Sequence, residues 1–221
     1  MSLIDPATGR DRTICAVRTC HQHHRRLSRF CTQHANNLAR SGDPLMPVTQ
    51  WRRHVEPNYG AFVREGLVRY GAQEAMEWGR RAAAACLAYR EAQWSSEARQ
   101  KRVAVIMQRL RDMGVTPDAL LERVALARAY LVGTSRPPIP AAERIFYGRS
   151  VVHMVKNVRP GYRFGNRTYR DVGEYVMTEL GPFAIKFIGR LQADIDARER
   201  LRQGVEFAPV PLPEALKPAI G

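Results

Sequence analysis

Cys15, Cys20, Cys31 and His34 are spaced Cys-x4-Cys-x10-Cys-x2-His, in a stretch that also holds His21, His23 and His24. Three thiolates with one imidazole form a common tetrahedral ligand set for structural zinc. The spacing suits that chemistry. Two cysteines a few residues apart can turn a loop about an ion, and Cys31 and His34, three apart, share one side of a helical turn. The pattern therefore assigns a structural Zn2+ to Cys15, Cys20, Cys31 and His34, with His23 or His24 as the alternative fourth ligand. The competing reading is three reduced, buried thiols, but so polar and basic a segment offers them little core. Cys86, inside "AAAACLAY", has the opposite setting and reads as an ordinary core residue.

The elements that must position these ligands are short. "CTQHANNLARSG" reads as a helix that starts at Cys31 and His34 and stops at Gly42. About 30 residues cannot bury enough apolar surface to fold alone, so an ion would supply the missing stabilisation. Residues 1–44 form this expected module, 45–57 a linker and short helix stopped by Pro57, 58–203 a helical domain, and 204–221 a proline-rich tail.

A segment with the pattern Cys-x-Val-x-x-Cys, about ten residues, Cys-x-x-His, seven residues, Gly-Asp-Pro recurs beside the catalytic region of phage and bacterial HNH-type homing endonucleases. Cys15, Val17, Cys20, Cys31, His34 and Gly42-Asp43-Pro44 stand at the same offsets here, so this stretch resembles that segment. The resemblance implies a zinc-binding, DNA-associated module of a phage or other mobile element. It covers about 30 of the 221 residues, and Thr19 stands where the family usually has glycine. The HNH centre does not carry over. His23-His24 and Asn37 match its first two positions, but no third ligand follows closely, and His54 lies beyond the linker.

The formal net charge is +14. A surplus of this size points to a polyanionic partner, most often nucleic acid. Residues 1–56 carry net +5, residues 136–171 net +6, and residues 172–221 net −1, so the charge is concentrated rather than spread. In the first region Arg25, Arg26, Arg29 and Arg40 are the candidate phosphate contacts. In the second, Lys156, Arg159, Arg163, Arg167 and Arg170 alternate with Tyr162, Phe164 and Tyr169. Cations there can meet phosphates while exposed aromatic faces stack on unpaired bases.

Between these regions the pattern is helical. Met76, Ala83, Leu87 and Trp94 form one apolar stripe of a long Ala-rich helix; Val103, Ile106, Leu110 and Met113 form another, with Ser95 or Ser96 as its cap. Thr116-Pro117-Asp118 is the clearest helix start and Gly133 the matching stop. "TSRPPIP" reads as an extended connector, and "AAERIFYGRSVVHMVKN" as a helix in which His153 is a core histidine. Residues 159–170 read as a short hairpin or loop, followed by a helix capped by Asp171, interrupted at Gly181-Pro182 and ending near Gln203. The fold class is therefore mainly α, with one such hairpin or loop.

No phosphate-binding glycine loop, dinucleotide fingerprint or Gly-x-Ser-x-Gly elbow is present, so enzymatic chemistry is not the expectation. No apolar run is long enough to span a membrane, and the opening residues lack the basic head and apolar stretch of a secretory signal. A cytoplasmic location, with thiols kept reduced, is expected. The functional expectation is a zinc-containing protein that binds nucleic acid, DNA favoured. The alternative is a protein-interaction subunit of a larger nucleic-acid-processing assembly in which zinc is purely structural. A protein partner or a second copy of the chain is compatible with either.

Overall fold

The computed structural model describes residues 14–24, 28–45, 51–90, 97–134, 139–155 and 164–202, leaving aside the side chains at positions 52, 53, 201 and 202. These contain seven α-helices: α1 Thr32–Ser41, α2 Glu56–Tyr70, α3 Glu74–Ala88, α4 Ala98–Asp112, α5 Pro117–Val132, α6 Pro140–Val152 and α7 Asn166–Arg202. A π-turn at Trp51–Val55 leads into α2. No strand occurs among the described residues, only an isolated antiparallel bridge between Ile14 and His23. The chain divides into a first unit, residues 1–188, and a second, residues 189–221, whose described part is the end of α7. No helix of the described residues is long and apolar enough to cross a membrane.

In the first unit α5 is the central element, with α2, α3 and α6 packed on it and α4 packed on α3. Its start forms as Thr116-Pro117-Asp118 dictates: the Thr116 hydroxyl accepts a hydrogen bond from the Ala119 amide at 3.2 Å. Leu120, Leu121, Val124, Ala125 and Ala127 are wholly buried, so α5 is apolar on nearly every side. The helices around it each bury one stripe, such as Met76, Ala83 and Leu87 on α3 and Val103, Ile106 and Leu110 on α4, which packs on α3.

The crossing of α6 and α7 depends on two missing side chains. A Cβ on Gly148 would overlap the carbonyl of Tyr169, and one on Gly173 would overlap the carbonyl of Arg144. The two backbones therefore touch, which brings the end of α6 beside the first turns of α7.

Several local expectations change. Pro57 begins α2 rather than stopping a helix, because its missing N–H falls in the first turn, where no partner is needed. The long Ala-rich helix ends at Ala88; Trp94, Ser95 and Ser96 lie outside the described residues. Met113 follows α4 at its C-cap and is exposed rather than part of the stripe. Residues 166–170 are the first turn of α7, not a hairpin, while 156–163 lie outside the described residues. Asp171 is no cap. It is buried within α7 and receives Arg102 of α4 at 2.6 Å. The helix also runs through Pro182, which is exposed, so water can serve the carbonyl that proline leaves without a donor. The proline-rich tail lies outside the described residues.

Candidate metal centre

Three backbone hydrogen bonds shape the loop that carries the first two ligands. Cys15 N–H donates to Gln22 O at 2.9 Å, Ala16 N–H to Arg29 O at 2.8 Å, and Cys20 N–H to Val17 O at 2.9 Å. The last closes a tight turn that aims both sulfurs the same way. Val17 is buried against Cys15 and Cys31, with Cys20 and Phe30 packed at the edge.

The other two ligands come from α1. Cys31 is its N-cap residue and His34 lies in its first turn. The far end is fastened by Gly42-Asp43-Pro44. Gly42 adopts φ 78°, a left-handed conformation that glycine takes without strain, and its N–H donates to Leu38 O at 2.9 Å. The Ser41 hydroxyl bonds to Asn37 O at 2.6 Å and Asp43 O at 2.9 Å. Asp43 Oδ1 accepts from Leu45 N–H at 2.8 Å, and the Asn37 amide donates to Pro44 O at 3.1 Å. Asn37 is thus spent on this cap, away from the ligand end of the helix.

The four ligand atoms of Cys15, Cys20, Cys31 and His34 lie within 4.8 Å of one another. Nδ1 of His34 is 3.3 Å from Sγ of Cys15 and 3.3 Å from Sγ of Cys31, and the sulfurs of Cys20 and Cys31 are 3.9 Å apart. Tetrahedral bonds of about 2.3 Å to sulfur and about 2.0 Å to nitrogen place sulfurs about 3.8 Å apart and nitrogen about 3.5 Å from sulfur. The observed set matches those separations closely enough to hold a metal ion. His34 completes it; His23 and His24 are not part of the cluster.

The charge balance of the cluster agrees. Burial opposes the thiolate of Cys15, but backbone hydrogen bonds from Cys31 and Val17, with His34 and Cys20, outweigh it and lower the pKa. Cys31 behaves likewise through His34, Cys20 and Cys15. At Cys20 the Gln22 backbone favours the thiolate, yet burial and the two neighbouring sulfurs prevail and raise its pKa. Three sulfurs that compete for negative charge at this range are the donor set a divalent cation relieves. Cys86 stands apart: burial pushes its thiol up to about 12, and its neighbour is Tyr175.

The candidate nucleic-acid residues fall into three groups. Arg25, Arg26, Lys156, Arg159, Tyr162 and Arg163 lie outside the described residues. Arg29, Arg40 and Arg167 are exposed. Arg170 is exposed as well, 3.8 Å from Asp171, while the two aromatic residues are engaged within the fold: Phe164 lies under the Arg109 guanidinium at 5.6 Å and Tyr169 under that of Arg149 at 5.7 Å. His153 is not a core residue. It follows the end of α6, exposed, with its ring edge-on to Tyr169.

The structure also joins the two basic stretches, through contacts between residues 109 and 127 positions apart. Arg149 of α6 donates to Arg40 O at 3.2 Å, and the Asn166 amide of α7 donates to Ala39 O. These bonds satisfy carbonyls at the C-terminal end of α1, where a cation is also favoured by the helix dipole. Gly42 lies against Ile145 and Ala142 of α6. Arg149 and Asn166 escaped sequence reasoning because neither spacing nor motif marks a residue that caps a distant helix.

No protein-family model, curated protein or solved structure matches the chain.

Proposed function

We propose that this protein is a zinc-stabilised nucleic-acid-binding protein, with DNA favoured. Its Zn2+ is structural: bound to Cys15, Cys20, Cys31 and His34, the ion cross-links the 15–20 loop to the start of α1. The observation that supports binding is the seam at which α1 meets α6 and α7, because it brings Arg40, from one basic stretch, beside the first turn of α7, where Arg167 stands exposed in the other. Arginines brought together from two separate stretches in this way are suited to a phosphate backbone. The likeness of the ligand spacing to the zinc segment of phage and bacterial HNH homing endonucleases supports DNA and a mobile-element origin. Asn37, the one match to the catalytic asparagine of that group, serves the α1 cap instead, so binding without cleavage is the favoured reading.

The test is fluorescence anisotropy with labelled duplex and single-stranded DNA over a range of salt. Direct phosphate contact gives a steep linear fall of log affinity with log salt, about 0.9 per phosphate neutralised on duplex. Absence of binding at low salt, or an affinity indifferent to salt, rejects the reading.

A further inference from the structure

The three sulfurs of the metal centre meet solvent unequally. Cys15 and Cys31 are each 1% exposed, whereas Cys20 lies half-buried at the edge of the cluster. A small oxidant therefore reaches Cys20 first. The sulfur of Cys31 is 3.9 Å away. A disulfide needs about 2.05 Å, so the two must close by roughly 2 Å. They belong to different elements: Cys20 ends the tight turn that begins at Val17, and Cys31 is the N-cap residue of α1. The loop can therefore move toward the cap without breaking a bond of α1. Little else would hold this segment once the ion had left, since Val17 is the one aliphatic side chain buried among the described residues before α1. The fourth thiol, Cys86, is 1% exposed within α3, and burial pushes it up to about 12, so it is remote and unreactive.

We propose that the metal centre is a peroxide-sensitive switch, in which Cys20 and Cys31 join as a disulfide, expel the ion and loosen α1 from the seam with α6 and α7. The Cys20 thiolate attacks one oxygen of hydrogen peroxide; the O–O bond breaks, a sulfenic acid forms and hydroxide leaves. The Cys31 thiolate then attacks the Cys20 sulfur, forming the S–S bond and displacing a second hydroxide. Two protons turn the hydroxides into water, and two electrons have passed from the sulfurs to the peroxide. Cys15 and His34 remain, and two donors do not close a four-ligand site, so Zn2+ leaves with its own charge unchanged. The disulfide holds only the cap of α1, and His34 in its first turn is released. At ten residues α1 falls short of the roughly 12–15 at which isolated helices are even marginal. Its far end carries the Ala39 and Arg40 carbonyls that meet Asn166 and Arg149, and Gly42 against Ile145. Fraying of α1 therefore draws Arg40 away from Arg167 and weakens nucleic-acid binding. That last consequence rests on the function proposed above; the thiol chemistry does not.

The full-length, zinc-loaded protein is treated with hydrogen peroxide beside a zinc-sensitive dye, and its peptides are mapped without reduction. One Zn2+ should leave each chain in step with a Cys20–Cys31 disulfide, Cys86 should stay unmodified, and dithiothreitol with added zinc should restore the starting state. Cys20→His keeps a nitrogen ligand but removes the attacking sulfur, and should release its ion about tenfold more slowly. Cys86→Ser should respond as the wild type does. Retention of the ion under peroxide that oxidises free glutathione overturns the proposal. So does release without that disulfide, whether the product is a sulfinic acid, a bridge between chains or a pairing through Cys15; this readout needs no variant to fold. In a second arm the reduced and oxidised proteins are titrated against a labelled oligonucleotide, and oxidation should weaken binding about tenfold, reversibly. Equal affinity of the two forms overturns the link from the centre to the seam and leaves the proposed function intact. Failure of the reduced, zinc-loaded protein to bind any oligonucleotide overturns that function, while zinc release and the mapped disulfide still decide the chemistry.

Discussion

In the helical body, Ile106, Met107, Leu110, Leu120, Leu121 and Val124 are wholly buried. Among the described residues before α1, the buried side chains are Cys15, Val17 and Cys31. Two of those three are thiols, and all three thiols of this metal-binding knob, residues 15–34, cluster with a histidine. Both regions reach a defined structure, by different physics. The body has long helices whose apolar stripes close on α5 or on one another, and its stability grows with buried area. The knob has no such stripes, and the free energy that area cannot supply must come from ligand bonds. A perturbation that acts on one kind of cohesion should therefore leave the other region almost untouched.

The largest effect is expected at the knob. Cys31→Ser removes one ligand from the centre and with it the restraint on the start of α1. Metal content should fall to near zero, and far-UV circular dichroism should lose the contribution of one ten-residue helix. The thermal transition of the body should persist. Loss of that transition as well would show that the two regions do not stand independently.

Next comes the close crossing of α6 and α7. Gly173→Ala places a methyl group against the Arg144 carbonyl of α6, and an immobile backbone cannot give way. Destabilisation of about 3 kcal/mol is expected by urea denaturation, toward the upper end for overpacking, with one metal ion still bound. A smaller loss, about 1 kcal/mol, is expected for Thr116→Ala, which leaves the Ala119 amide at the start of α5 without its cap. The smallest effect is none at all. Cys86, buried with its thiol pushed up to about 12, should resist iodoacetamide in the native protein at pH 8. The same treatment after chelation should modify Cys15, Cys20 and Cys31, as peptide mass mapping would report.

What could be read from the sequence follows the same division. The ligand set was legible because metal chemistry fixes residue types and local spacing together. The start of α5 was legible because Thr116-Pro117-Asp118 satisfies three separate requirements of a helix N-terminus. Residues 166–170 are not legible as helix because Gly165, Asn166 and alternating aromatics carry the local signs of a turn, whereas the close crossing at Gly148 and Gly173 draws them into α7. Asp171 carries the local signs of a cap for the same reason; a partner 69 positions away, Arg102, meets it inside the helix. The pairing of Arg149 and Asn166 with the end of α1 had no sequence signature, since it exists only once three helices have met.

The most direct measurement is X-ray absorption at the zinc edge on protein reconstituted with one equivalent of Zn2+. Three sulfur neighbours at about 2.3 Å and one nitrogen at about 2.0 Å are expected, reduced to two sulfurs in Cys31→Ser if any ion is retained. A shell made only of oxygen and nitrogen, or a metal-free protein whose α1 is as helical as in the reconstituted one, would contradict an ion as the organiser of residues 15–34.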